Sequence, residues 1–208
     1  MKKPGIRKRF FAWTLKKGDT LNQQIYGSYK KELFRDIKGL VLEIGPGAGV
    51  NFNYLPPGIE WIGIEPNIAF HEILWAKARQ RGIGARLISG DSFPIPLEDA
   101  IADVLICTLV LCSVINPAQM IQEFKRLLKP GGKLIFIEHV AASRHSGLLK
   151  AQNILNPLNR FFADGCNCNR ETWIYLQEAG FSQLQINHQD IKGGLVLHRP
   201  HIIGYAIK

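Results

Sequence analysis

No run of about 18 or more apolar residues occurs in this chain, which excludes a helix that spans a membrane. The N-terminus, MKKPGIRKRFFAWTLKKG, lacks the long apolar core and small-residue cleavage site of a signal peptide, so a cytoplasmic protein is expected. No Gly-Lys-Ser/Thr occurs, which excludes a Walker-type phosphate loop. No internal repeat or low-complexity linker interrupts the chain. Cysteine is scarce: Cys107, Cys112, Cys166 and Cys168 are the only four, and no Cys-x-x-Cys pair exists. In a reducing compartment they remain thiols. Cys166-x-Cys168 is the only spacing that hints at zinc. Because Cys107 and Cys112 lie in an apolar run, the expectation is no metal site.

What is present is an ordinary globular balance, with 46% hydrophobic and 21% charged residues in 208. That length suits one domain with a sizeable core. The formal net charge is +9. Lys2, Lys3, Arg7, Lys8, Arg9, Lys16 and Lys17 precede the first acid, Asp19, with Phe10, Phe11, Trp13 and Leu15 among them. Residues 1–19 therefore read as a basic arm and residues 20–208 as the folded domain. The arm has three readings: a membrane-surface helix, a nucleic-acid arm, or a solvated tail packed partly on the domain. No nucleic-acid motif supports the second, so no specific nucleic-acid partner is expected. Aromatics among cations suit peripheral contact with an anionic membrane.

Asp19 or Thr20 can cap a helix running to about Ile37. Strands and helices then alternate. VLEIG, WIGIEP, ARLISGD, ADVLICTLVLC and KLIFIEHVA read as strands, and FSQLQINHQ and HIIGYAIK as two more. VNFNYL makes only a short helix before Pro56 and Pro57. IAFHEILWAKARQ is a helix ended by Gly82, and PAQMIQEFKRLLK is one ended by Pro130-Gly131-Gly132. A helical region from about Gly147 to Phe162 is expected to break near Pro157. NRETWIYLQEAG is a helix with Asn169 as its cap. This alternation implies an α/β fold: a mainly parallel, seven-stranded sheet, helices on both faces, the last strand antiparallel. Ligands of such sheets bind beyond the carboxyl ends of the strands.

GLVLEIGPGAGVNF, residues 39–52, holds the densest signal. A dinucleotide fingerprint would need a glycine at Val50. The pattern present is acid-x-Gly-x-Gly-x-Gly, from Glu43 through Gly45, Gly47 and Gly49. It resembles the first motif of class I S-adenosylmethionine (AdoMet) methyltransferases, whose ligand carries an amino-acid tail in place of phosphates. Glycines let the backbone approach such a tail. Glu43 is expected to serve its ammonium, directly or through the loop. Glu65 ends the second strand, where a carboxylate can accept ribose hydroxyls. Asp91 in SGDSFPIP fits the acid that such enzymes place near adenine, and Thr108 ends the fourth strand. Pro130-Gly131-Gly132 resembles the family's usual turn. The fold implied is the Rossmann-like sandwich of class I methyltransferases.

CTLVLCSV (107–114), EHVAA (138–142), DGCN (164–167), RETW (170–173) and RPHIIGYAIK (199–208) further resemble segments of the small animal thiol S-methyltransferases, the methyltransferase-like seven group. The likeness implies AdoMet as cofactor and a small, partly apolar acceptor, a thiol first. Three departures stand out: the basic arm where those proteins carry a hydrophobic anchor, Gly-Pro-Gly-Ala-Gly in the loop, and the second cysteine, Cys168. The missing Asn/Asp-Pro-Pro-Tyr/Phe argues against amino methyltransferases that use it. His139 is the first candidate base, Asp164 the second and His201 the third, though His201 can equally anchor the last strand. Trp173 and Phe161-Phe162 read as core before pocket wall. A phospholipid or other small-molecule N/O-methyltransferase, and a non-catalytic AdoMet binder, remain as alternatives.

Overall fold

The structure, a computed structural model, describes residues 19–90, 93–163 and 165–208. The basic arm lies outside the described residues, save Asp19, which opens the first helix. Asp91 and Asp164 lie outside them too. The elements in order are α1 (Asp19–Leu33), β1 (Leu40–Ile44), β2 (Glu60–Ile64), α2 (His71–Gln80), β3 (Gly84–Ile88), β4 (Ala102–Thr108), α3 (Pro117–Leu127), β5 (Leu128–His139), α4 (Gly147–Phe162), α5 (Thr172–Glu178), β6 (Gln183–Asp190) and β7 (Pro200–Ile207).

The strands form one seven-stranded sheet in the order β3-β2-β1-β4-β5-β7-β6. Pairing is parallel from β3 through β5, and β7 runs antiparallel to both of its neighbours. The apolar runs follow from this layout, because each face of the sheet is covered. In β1, Leu42 and Ile44 pack with Leu105, Phe124, Phe136 and Leu176 on one face. Val41 packs with Trp61, Phe34, Phe52 and Leu74 on the other. Chain order reverses between β1 and β4, so a crevice opens beyond Ile44 and Thr108.

Four local expectations are corrected. The fourth strand stops at Thr108 and does not continue to Cys112. Leu109 takes φ +60 and turns the chain. The helix before β5 ends at Leu127, short of Lys129, and Leu128 is already extended. Lys129 precedes Pro130, which disfavours helical backbone there. Pro157 sits inside α4 without breaking it. It is exposed, so the carbonyl a turn earlier can turn to water. Asn169 does not cap α5: Glu171 precedes that helix with no side-chain cap, and Asn169 Nδ2 donates to Asn153 Oδ1 at 2.9 Å. Asn116 does cap α3, accepting from Gln119 N, with Pro117 in the first turn.

Candidate active site

The loop after β1 is the Gly45–Gly49 segment, and its three alternate glycines all have positive φ: +60, +54 and +72. Gly45 N donates to Ile64 O and Gly49 N to Pro46 O, both at 2.9 Å. A Cβ on Gly45 would stand 2.7 Å from Val110 Cγ2, so the loop after β4 presses directly on the glycine loop. Gly45→Ala is therefore expected to weaken AdoMet binding by about 1–2 kcal/mol, the cost of left-handed backbone in a residue with a side chain. Calorimetry on the variant checks this.

Glu43 breaks the apolar run of β1 and is 1% exposed. Its oxygens face inward: Oε1 accepts from Asn51 Nδ2 and Oε2 from Trp61 Nε1, each at 2.8 Å. Burial pushes its pKa up against the pull of these two donors. Glu43 thus meets the loop through Asn51. Asn51 Nδ2 also donates to Thr108 Oγ1 at 3.1 Å, bridging the ends of β1 and β4. Asn51 Oδ1 is buried and has no hydrogen-bond partner among the described residues. The sequence reading missed Asn51. The available signal was one amide between Val50 and Phe52 in a segment that otherwise packs as core.

Glu65 follows β2 and is 4% exposed. Its Oε2 accepts from Gly47 N at 2.9 Å and its Oε1 from Asn67 N at 2.8 Å. The carboxylate so placed at the second strand's end also holds the middle of the glycine loop. Glu65, Gly45, Gly47, Gly49 and Thr108 therefore converge on one crevice, with Glu43 beneath it.

At the neighbouring end of β5, Glu138 is fully buried. Its Oε1 accepts from Val110 N at 2.9 Å and its Oε2 from Cys112 N at 3.3 Å, while Cys107 Sγ donates to Oε1 at 3.4 Å. Burial pushes its pKa up to about 7, opposed by these backbone donors. Glu138, a strand-end position in the sequence reading but with no role assigned there, ties down the turn after β4 through Val110 N and Cys112 N. His139 turns Nδ1 toward Cys166 Sγ at 3.7 Å. Its ring stacks on His198, with centroids 4.6 Å apart, and meets the edge of His201 at 4.7 Å. Burial, then His201 and His198, hold its pKa well below the usual imidazole range.

His201 is an anchor. Tyr26 OH lies 2.8 Å from its Nε2, and its Nδ1 lies 2.9 Å from Arg199 O. Trp173 packs against the core as expected, edge-on to His188. Phe161 and Phe162 do not: they are 61% and 72% exposed at the end of α4.

Residues 42–136 match the methyltransferase domain family. Among curated proteins, thiol S-methyltransferase TMT1A of Homo sapiens is 35% identical over 214 residues, spanning 98% of this chain and 88% of that protein. Thiol S-methyltransferase TMT1B of Rattus norvegicus is 36% identical with the same coverage. Among solved structures, a SAM-dependent methyltransferase of Thermotoga maritima, described as a possible histamine N-methyltransferase, superposes with a TM-score of 0.68 over 97% of this chain and 98% of that one. At 20% identity it speaks for the fold, which is the Rossmann-like AdoMet-methyltransferase fold. A glycine loop at the switch point, a carboxylate on it and relatives along nearly the whole length agree: the chain is an AdoMet-dependent methyltransferase and belongs to the thiol S-methyltransferase family.

Proposed function

We propose that this enzyme transfers the methyl group of AdoMet to a small, partly apolar thiol. The observation that carries the reading is the make-up of the acceptor end. Cys112, Cys166 and His139 meet there, and the buried carboxylate of Glu138 is already engaged by backbone N–H groups. A cationic amine entering such a place would lose its water and find that carboxylate already taken. A thiol would not. The names of the relatives point the same way.

The residues present fit AdoMet. Asn51 Oδ1 is a buried acceptor without a partner among the described residues, of the kind an ammonium donor satisfies. The loop's three glycines all take positive φ, which leaves their backbone N–H and C=O groups without side chains beside them. On this reading Gly45, Gly47, Gly49, Asn51 and Thr108 hold the amino-acid end, Glu65 the ribose, and Asp91 the adenine, the last on the resemblance alone. AdoMet supplies a methyl group already activated on a sulfonium, so the protein has to position and desolvate the acceptor. Val110 and the turn 109–112 form the wall between the two ends, fixed by Glu138. Asp164, which lies outside the described residues, stays the second candidate base on the sequence alone.

Purified protein with labelled AdoMet and a panel of alkyl thiols, amines and phosphatidylethanolamine tests the reading. Label is expected in the thiols. Methylated phosphatidylethanolamine with no thiol turnover would overturn it.

One observation favours a lipid surface nearby. The outer face of α4 leaves Ile154 76%, Leu158 58% and Phe162 72% exposed. No helix among the described residues is long and apolar enough to cross a membrane. We therefore propose a cytoplasmic enzyme that touches anionic membranes peripherally. Co-sedimentation with anionic vesicles is expected at low salt and should fade as ionic strength rises. Attachment that persists at high salt would point to insertion instead.

A further inference from the structure

Cys112, His139 and Cys166 come from three separate segments: the turn after β4, the last residue of β5, and the stretch after α4. Each falls in a segment that carried the sequence resemblance. Their ligating atoms all lie within 4.8 Å of one another. Cys166 Sγ and His139 Nδ1 are 3.7 Å apart, within sulfur hydrogen-bond distance. Around a tetrahedral zinc, with bonds of about 2.3 Å to sulfur and about 2.0–2.1 Å to nitrogen, such atoms stand roughly 3.5–3.8 Å apart. The Cys166 Sγ–His139 Nδ1 spacing is that of one tetrahedral edge, and the remaining pairs lie within 4.8 Å.

We propose that Cys112, His139 and Cys166 form a three-ligand zinc site whose fourth position receives the acceptor thiolate. This rests on the thiol reading and deepens it.

The surroundings hold these three groups in place. The His139 ring is fixed by His198 and His201, which are themselves tied to Asn159 Oδ1 at 2.7 Å and to Tyr26 OH at 2.8 Å. Cys112 O accepts from Asn167 N at 2.9 Å and from Asn167 Nδ2 at 3.0 Å, which staples the turn after β4 to the segment carrying Cys166. Asn159 Nδ2 donates to Cys166 O at 2.7 Å. Cys168, two places from Cys166, turns its sulfur to Asn156 Oδ1 at 3.7 Å. Cys107 is engaged with Glu138. Two sulfurs and one imidazole suit a borderline-soft cation with no geometric demand of its own, and three protein ligands leave one place open. The site also adjoins the methyl donor's crevice, since Val110, two residues before Cys112, presses on Gly45.

The step balances without a further reactant. The entering R–SH releases its proton to water, and its thiolate completes the tetrahedron. A sulfur lone pair then forms the new S–CH3 bond as the sulfonium C–S bond breaks. The neutral thioether is a poor ligand and leaves. A metal in this position does the ionising that a buried imidazole would otherwise have to do, so His139 becomes a ligand and not a base.

The test uses the full chain, stripped of metal by a chelator under reducing conditions and titrated with cobalt(II), without AdoMet or acceptor. One cobalt per chain is expected, with thiolate-to-cobalt charge transfer and intense tetrahedral ligand-field bands, displaced by one equivalent of zinc. Cys112→Ser, Cys166→Ser and His139→Ala should each weaken cobalt binding at least about tenfold, and Cys168→Ser should leave the bands unchanged. AdoMet binding, measured on every variant, shows which of them are folded. A small alkyl thiol should shift the charge-transfer band as a third sulfur joins. Missing charge transfer in the wild type, or its survival in every folded ligand variant, overturns the site. Bands that ignore the alkyl thiol overturn the open fourth position. Metal-free protein that methylates thiols at full rate overturns the zinc while leaving the thiol reading intact. Protein whose cobalt form shows the bands but whose zinc-loaded form turns over no thiol overturns the reading and, with it, the thiolate's place on the metal.

Discussion

Replacing Glu43 with alanine is expected to lower stability by about 2–4 kcal/mol, because it strands two buried donors, Asn51 Nδ2 and Trp61 Nε1. Each stranded donor costs about 1–3 kcal/mol. Relief from burying a carboxylate offsets part of the sum. AdoMet affinity should fall as well, since Asn51 then loses the group that orients it. Glu43→Gln keeps one acceptor and should lose about half as much. The pH dependence carries a distinct signature. Burial raises the pKa of Glu43 above its ordinary 4.5. Between that value and the raised one, the folded state holds more protons than the unfolded. This contribution to stability is fully present below 4.5 and fades as pH rises through the raised pKa. Urea unfolding across this window should show a falling component in the wild type that both variants lack. An equal slope in all three proteins would assign the pH dependence to other groups.

Glu65→Ala is expected to weaken AdoMet binding by about 1.5–3 kcal/mol, roughly ten- to hundredfold, and to lower stability as well, since Gly47 N and Asn67 N lose their acceptor. Two losses combine. On the proposed reading the ribose loses its acceptor, and Gly47 N and Asn67 N lose the carboxylate that sets the loop. Glu65→Asp keeps the charge but is one methylene short of Gly47, so partial recovery is expected. Calorimetry with AdoMet and with its demethylated product separates these roles: both ligands carry the ribose and should lose affinity alike. A variant that binds both as the wild type does would remove Glu65 from the cofactor site.

The alternation of apolar runs with amphipathic stretches made the sheet legible, because a parallel sheet buried on both faces demands such runs. The glycine loop was legible because three left-handed positions in five residues leave few alternatives to glycine. Contacts across the sheet were not legible. Nothing local to Trp61 says that its indole meets Glu43, eighteen positions earlier. The carboxylate of Glu138 reads as a strand-end acid until the turn at Leu109 brings Val110 and Cys112 onto it. The cysteines misled by proximity: Cys166 and Cys168 are near in sequence yet face different partners, whereas Cys112 and Cys166 meet across the fold. Asn169 looked like a helix cap because its competing partner, Asn153, lies on another helix.

The indole of Trp61 has one more use. It is 1% exposed and donates its N–H to Glu43, whose other oxygen holds Asn51 of the cofactor loop. Gly63, two residues on, gives the ring its room, since any Cβ there would collide with it. Trp75, by contrast, is 44% exposed. Emission from Trp61 therefore belongs at the blue edge of the protein's fluorescence, where solvent-facing indoles contribute little. Its intensity is expected to follow the charge on Glu43 and the seating of the loop that holds Asn51, an unlabelled optical gauge of the crevice beyond β1 and β4.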